Sequence, residues 1–433
     1  MKVTVIGLGY VGLVTSIGLA ELGHDVMGYD VDVDKISKLK GGHLPIFEPL
    51  LDEIFQKNLG NKFNVTTSPE EAVLFGDIIF ICTGTPTNLD WSVDLTQVEE
   101  AAKTVAWHID RFKLVVEKST VPVNTARWIE RTIRLYLRRS VDFEVASNPE
   151  FLREGNAVQD FFKPDRIVIG VQSARAERML RQLYKPLKAP VVITDINTAE
   201  LIKHASNAFL AMKISFINMI SDLCEHVGAD VEVVAKAMGL DRRIGKEFLK
   251  AGIGYGGSCF PKDVKALYHI GKEYNLNFEL LRCVHEINES RIDVFFNHIK
   301  KALWNVRQKK LAMWGLSFKP NTDDIREAPS IKVIKRILEQ GGDVTLYDPV
   351  ASENVKRVYP PSEKVHYALD MYEAVEGKDA LLIITEWDIF KNADLQKVKK
   401  LLATPIIIDG RNIYDPKKMK KLGFEYYCMG RKA

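Results

Sequence analysis

Two α/β units joined by a long central helix are what the amino-acid sequence predicts, on three observations. Strand-like and helix-like stretches alternate through roughly the first 200 residues. An unbroken helical pattern, free of Pro and Gly, follows over residues 198–227. Alternation then returns near residue 310. The first strand is expected at residues 2–6, apolar and β-branched, followed by a helix over 10–22 and a strand over 25–29. Further strands are expected at 78–81, 114–117, 144–146, 167–169 and 191–193. Helical patterns lie between most of them, which implies a parallel sheet with helices on both faces. At a rise of ~1.5 Å per residue the helix over 198–227 is roughly 45 Å long, suited to connecting domains or to a subunit interface. More helix is expected at 231–238, 264–274 and 279–303. Strands at 310–314, 343–347, 380–384 and 405–409 complete a smaller α/β unit. The division expected is therefore 1–196, 197–303 and 304–433. The two α/β ends resemble each other only at the level of pattern.

Bulk properties exclude several classes of function. A chain of 433 residues is too long for one ordinary core. Its 46% hydrophobic and 27% charged content is that of a soluble globular protein. A net charge of +3, with basic residues spread among acids, gives no case for nucleic-acid binding. The densest basic run, Arg131, Arg134, Arg138 and Arg139, reads as a solvated helix face. No apolar run reaches the ~20 residues needed to span a bilayer, and the N-terminus does not read as a signal peptide. The five cysteines, Cys82, Cys224, Cys259, Cys283 and Cys428, are few, odd in number and scattered, which points to a reducing, cytoplasmic compartment. With no CxxC or HExxH, no metal site is expected.

The stretch Gly7-Leu8-Gly9-Tyr10-Val11-Gly12 follows the first strand and opens the first helix. This is the G-x-G-x-x-G fingerprint in its required context. Its glycines allow the tight turn, the approach of backbone to a pyrophosphate, and close packing of helix on strand, while the helix N-terminus favours negative charge. Asp30 ends the second strand, eighteen residues after Gly12. A carboxylate there accepts from ribose hydroxyls and repels a 2′-phosphate, so NAD is expected rather than NADP. The first unit is thus read as Rossmann-like and doubly wound, and the closing unit as a second of the same kind. Lys35 is within reach of the adenosine phosphate, though alone such a lysine is more often a surface group.

Gly252-Ile253-Gly254-Tyr255-Gly256-Gly257-Ser258-Cys259-Phe260-Pro261-Lys262-Asp263 is the second informative stretch. Its glycines suit a loop that a phosphate or sugar approaches closely. A helix starting near Pro261 puts Cys259 just ahead of a helix N-terminus and beside Lys262, and both favour a thiolate. Such a thiolate attacks an aldehyde to give a thiohemiacetal, which loses a hydride to become a thioester that water hydrolyses. The other four cysteines read as small buried hydrophobes. Asp263 can orient Lys262 or a water, and serves equally as half of a helix-start salt bridge.

At this loop, and along essentially its whole length, the chain resembles the UDP-glucose/GDP-mannose dehydrogenase family. The likeness rests on Gly256 to Asp263, Glu117-Lys118-Ser119-Thr120-Val121-Pro122, Asn148-Pro149-Glu150-Phe151-Leu152-Arg153-Glu154-Gly155 and Lys163-Pro164-Asp165-Arg166. It also rests on Glu200-Leu201-Ile202-Lys203-His204, Ser206-Asn207-Ala208-Phe209, the block from Phe318 to Glu327, and Asp409-Gly410-Arg411-Asn412. The resemblance implies a four-electron oxidation of a sugar nucleotide's C6 alcohol to a carboxylate, with NAD as acceptor. A UDP-sugar, UDP-glucose first, is the implied substrate, with GDP-mannose or another UDP-hexose as the alternative.

It also implies roles. Cys259 is the nucleophile. Lys203 and Asn207, one helical turn apart, hold the oxyanion and the sugar. Thr120 and Glu150 position the water of general-base catalysis, and Asp263 supports the lysine. Gly7, Gly9, Tyr10, Val11, Gly12, Asp30, Lys35, Thr83, Thr120, Glu154, Lys262 and Arg326 fall to the cofactor. The substrate falls to Glu150, Phe151, Leu152, Arg153, Glu154, Lys203, Asn207, Phe248, Leu249, Lys250, Ala251, Gly252, Gly256 and Lys319. Arg243 is implied to come from the neighbouring subunit of a homodimer. Two positions depart from the family pattern: Asn124 stands where a glycine is usual, and Trp91 where a small residue is common.

Overall fold

The computed structural model describes residues 1–432. It divides into two compact units, Met1–Ser206 with His269–Asn275, and Asn207–Tyr268 with the chain from Leu276 onward.

The first unit is built on eight strands: β1 (Lys2–Ile6), β2 (Asp25–Tyr29), β3 (Phe63–Thr66), β4 (Ile78–Ile81), β5 (Lys113–Glu117), β6 (Phe143–Ser147), β7 (Ile167–Gly170) and β8 (Val191–Thr194). Their order is β3-β2-β1-β4-β5-β6-β7-β8. The chain reverses direction along the sheet between β1 and β4, the switch point at which ligands of such sheets bind. Strand alternation sorts the core onto two faces. Ile78 and Phe80 of β4 pack in one cluster, and Ile79 and Ile81 in the other.

The second unit carries β9 (Lys310–Trp314), β10 (Asp343–Tyr347), β11 (Val365–Tyr367), β12 (Ala380–Ile383), β13 (Ile406–Asp409) and β14 (Glu425–Cys428). Their order is β11-β10-β9-β12-β13-β14. Leu311 and Met313 face one core cluster, Ala312 and Trp314 the other. Both sheets therefore follow the doubly wound plan, as expected.

Three strands escape the sequence reading: β3, β11 and β14. Each is an edge strand of three or four residues, where one side needs no apolar cover and the hydrophobic run is short. The first sheet is also not wholly parallel, since β6 meets β7 antiparallel at Ser147 and Gly170. The likeness between the two ends goes deeper than pattern. Gly7 N–H donates to Tyr29 O at 2.8 Å and Gly315 N–H to Tyr347 O at 2.9 Å, and both glycines have φ +91°.

The long helix is Ile196–Val227, 32 residues. Asp195 begins it by accepting from Thr198 N–H at 2.9 Å, and Gly228, at φ +76°, ends it. No described helix is long and apolar enough to cross a membrane.

Candidate functional site

In the first unit each fingerprint glycine has a separate task. Gly7 needs its positive φ. A Cβ on Gly12 would lie 1.8 Å from Gly7 O, so only glycine lets this helix pack against its own strand. A Cβ on Gly9 would meet nothing within 4 Å, so that side is open to a ligand. The Tyr10–Glu21 helix receives no side-chain cap, which leaves its first N–H groups for an anion. Asp30 is buried at the end of β2. Its Oδ2 accepts from Leu8 N–H and Lys35 Nζ, both at 2.8 Å, and its Oδ1 from Asp32 N–H at 3.0 Å. Burial alone would push this carboxyl up, but the donors outweigh it and its pKa is lowered. Lys35 is thus the counter-ion of Asp30. The Thr83 hydroxyl, after β4, is buried with no partner. An open Gly9, an uncapped helix and an orphaned hydroxyl at the switch point fit a dinucleotide.

The Asn148–Gly155 loop approaches this turn. Tyr10 Oη donates to Glu48, whose Oε2 also accepts Gly155 N–H at 2.6 Å and whose Oε1 accepts Ala157 N–H at 2.7 Å. Burial, followed by the bond to Glu48, raises the Tyr10 pKa, and the nearby charge of Glu154 adds to it. Glu150 is buried. It accepts from Leu152 N–H at 2.5 Å and pairs with Lys203, also buried, at 2.9 Å. The Phe151 ring lies 5.4 Å from the Lys203 ammonium and 3.8 Å from the Arg166 guanidinium. Thr120 O accepts from Thr85 Oγ1 at 2.9 Å. The Arg153 guanidinium makes two bonds to Asp160, and its backbone N–H donates a third at 2.9 Å.

The two departures share a backbone explanation. Asn124 has φ +78° and Trp91 φ +74°. Asparagine tolerates the left-handed region nearly as glycine does, so Asn124 keeps the turn. A tryptophan there is strained by roughly 1 kcal/mol.

In the second unit Cys259 precedes the Phe260–Glu273 helix, and its carbonyl accepts Asp263 N–H at 2.8 Å, the helix's first bond. The thiol is half-buried and 3.7 Å from Ser258 Oγ. Asp263 is fully buried. Its two oxygens divide between Lys262 Nζ at 2.6 Å and Asn207 Nδ2 at 2.5 Å.

The glycines of this loop are required by the protein's own packing rather than by ligand approach alone. A Cβ on Gly252 would lie 2.7 Å from Gly410 O, and one on Gly256 2.4 Å from Glu327 O. Polar side chains hold the loop at successive positions. Asn218 Oδ1 takes Gly252 N–H at 2.8 Å, Asn288 Oδ1 takes Tyr255 N–H at 2.8 Å, and Arg411 donates to Gly254 O at 2.9 Å. None of these three carried a sequence expectation. Only Arg411 had a signal, in the Asp-Gly-Arg-Asn block.

Leu249 and Ala251 are buried beside the loop, Lys250 is exposed, and the Phe248 ring lies 6.0 Å from Phe260. Lys319 sits over the Phe318 ring at 5.6 Å. Arg326 pairs with Asp324, and its carbonyl accepts Gly257 N–H. The Arg243 side chain is 89% exposed and pairs with Asp241.

Comparison with known proteins covers nearly the whole chain. Residues 1–188 match the UDP-glucose/GDP-mannose dehydrogenase family's NAD binding domain, 197–290 its central domain and 312–416 its UDP binding domain. The Bacillus subtilis UDP-glucose 6-dehydrogenase YwqF is 48% identical, with 100% of this chain and 98% of that protein aligned. A UDP-glucose 6-dehydrogenase from Rhizobium meliloti is 46% identical, over 100% of both chains. Among solved structures, a UDP-glucose dehydrogenase from Pyrobaculum islandicum superposes with a TM-score of 0.92 at 39% identity, covering 100% of this chain and 98% of that one. A UDP-D-ManNAc dehydrogenase from Pyrococcus horikoshii gives 0.87 at 31%, covering 100% and 99%.

Proposed function

The chain belongs to the UDP-glucose/GDP-mannose dehydrogenase family, and we propose that within it the protein oxidises the C6 alcohol of UDP-glucose to the carboxylate of UDP-glucuronate. The observation that carries this reading is full-length identity of 46–48% to proteins named UDP-glucose 6-dehydrogenase. NAD, when bound, supplies the hydride acceptor for two successive oxidations. The open Gly9, the uncapped helix and Asp30 support its binding to the first unit.

The chain's own groups then have these tasks. The Cys259 thiolate adds to the carbonyl carbon of the C6 aldehyde, forming a C–S bond and a thiohemiacetal oxyanion. Loss of hydride from that carbon leaves a thioester. Water adds to it, the C–S bond breaks, and the carboxylate leaves with the thiolate restored. Lys203 stabilises oxyanion charge. Asn207 holds the sugar, and the Asp263 bridge to Asn207 and Lys262 supports that role by fixing the amide's orientation. Glu150 and Thr120 serve the hydrolytic water, with Glu154 beside the nicotinamide ribose. Phe248, Leu249, Lys250, Ala251, Gly252, Gly256 and Lys319 serve the nucleotide end, and Arg326 the cofactor.

We further propose a cytoplasmic homodimer with Arg243 reaching the partner's site, and three domains divided at 196 and 303. Phe209, Phe216, Met219, Leu223 and Val227 are exposed along the long helix, an apolar stripe that supports burial against a second copy. Turnover with UDP-glucose and with GDP-mannose at matched concentration tests the substrate. Preference for UDP-glucose is expected, and faster NADH formation from GDP-mannose overturns it. Cys259→Ser is expected to stop carboxylate formation while leaving NADH binding intact.

A further inference from the structure

The long helix grips the turn that carries Thr120 at more than one point, and the grip comes from residues that the proposed chemistry does not use. Glu200 is 2% exposed, and its two carboxylate oxygens go to two backbone donors: Oε2 accepts Asn124 N–H at 2.7 Å and Oε1 accepts Ala126 N–H at 2.8 Å. These donors belong to the start of the Thr125–Tyr136 helix, whose own N-cap residue, Asn124, offers no side-chain cap. A distant carboxylate therefore does the work that a local Ser or Asp performs elsewhere, as it also meets the positive end of the helix dipole. One turn further along, His204 Nε2 bonds to Val121 O at 2.8 Å. Thr85 Oγ1 fixes the carbonyl of Thr120 itself. Glu200 and His204 flank Lys203 in sequence, and Lys203 is paired with Glu150.

We propose that Glu200 is a positioning residue: by clamping Asn124 and Ala126 it holds the 120–124 turn, and hence the Thr120 hydroxyl, in register with Lys203 and Glu150. This rests on the reading of Thr120, Lys203 and Glu150 as the hydrolytic group.

The clamp has a property that a neutral cap lacks. Burial pushes the Glu200 carboxyl up to about 7, although both N–H bonds pull the other way. The charged groups around it are Arg127 on the capped helix, which favours ionisation, and Asp195 at the start of the long helix, which opposes it. Glu117 on β5 is also near, wholly buried and itself pushed well up by burial. Ionised Glu200 holds both amides with charge-assisted bonds. Protonated, it holds them weakly. The grip therefore loosens as pH falls through about 7. The sign for stability is opposite. A raised carboxyl pKa makes the folded state the better proton binder between the ordinary carboxylate range and about 7, so global stability declines as pH rises through that window.

Glu200→Gln and Glu200→Ala test the proposal, read two ways against the wild type. The first is backbone amide exchange at Asn124 and Ala126, corrected for intrinsic rate, between pH 6 and pH 8. In the wild type, protection at pH 8 is expected to exceed that at pH 6 by about tenfold. In Glu200→Gln it is expected to be low and flat with pH. Equal, pH-independent protection in both proteins overturns the clamp, whether or not the enzyme turns over UDP-glucose. The second is kcat against pH. Glu200→Gln is expected to lower kcat about tenfold at pH 8 and to erase the limb near pH 7, with NADH affinity within twofold of wild type. An active wild type with an unaltered limb and kcat in Glu200→Gln overturns the positioning role alone. A wild type inactive on UDP-glucose instead counts against the substrate reading. Should Glu200→Ala fail to fold, the glutamine variant, which keeps the size and one acceptor, carries both readouts.

Discussion

The two sheets make the same turn and use its acid differently. After β1, Leu8 N–H donates to Asp30, and after β9, Leu316 N–H donates to Asp348. Asp30 has one further backbone donor and a lysine. Asp348 is saturated from within. Its Oδ2 accepts from Leu316 N–H, Ser317 N–H, Ser317 Oγ and Trp387 Nε1, and its Oδ1 from Val350 and Ala351 N–H. In the first unit a helix begins at Tyr10, directly behind the fingerprint. In the second the next helix begins only at Pro329, with residues 316–328 intervening. One copy keeps its acid and its helix terminus available for a dinucleotide. The other has spent the acid on holding its own turn. A shared strand order therefore does not imply a shared ligand; the satisfaction of one carboxylate distinguishes them.

Substitutions at the paired positions sharpen this contrast. Asp348→Ala strands several buried donors and is expected to lower stability by about 4 kcal/mol in urea unfolding, with NADH affinity of the folded protein unchanged. Asp30→Ala reverses the pattern. NADH affinity is expected to fall about 30-fold, close to 2 kcal/mol, with a smaller loss of stability measured by thermal melting. Similar stability losses in both variants would erase the distinction.

The glycines extend the comparison. Gly256→Ala drives a Cβ into Glu327 O and is expected to cost about 1–3 kcal/mol. Gly9→Ala meets no protein atom, so its effect is expected in NADH affinity and not in melting temperature.

The smallest effect belongs to Lys35→Met. Asp30 has a lowered pKa, so it contributes stability above the ordinary carboxylate value, and that stability is lost as pH falls through the lowered value. Removing Lys35 is expected to shrink this acid-side contribution by under about 1 kcal/mol. Unfolding free energies at pH 5 and pH 3 measure it.

Much of the fold is legible in the chain, because interior parallel strands such as β4 and β12 are apolar throughout and the fingerprint is local. Of the four edge strands β8 is legible, while β3, β11 and β14, short and with one side facing solvent, are not. The site is legible where chemistry clusters in sequence, at Gly7–Gly12 and Gly252–Asp263. It is illegible where a loop is held from afar: Glu48 lies 107 residues from Gly155, and Arg411 lies 157 from Gly254. Nothing in a single sequence pairs residues so distant. The loop glycines drew attention for ligand approach, whereas the protein's own atoms fill their Cβ positions, backbone at Gly252 and Gly256 and the Asn288 and Phe318 side chains at Gly254 and Gly257.

The stoichiometry of turnover tests the central chemistry most directly. NADH formed and UDP-glucose consumed are to be measured together, to completion, with the purified full-length chain. Two NADH per sugar nucleotide, with UDP-glucuronate as product, is the expected result. One NADH per sugar, with an aldehyde released, would contradict covalent capture by Cys259.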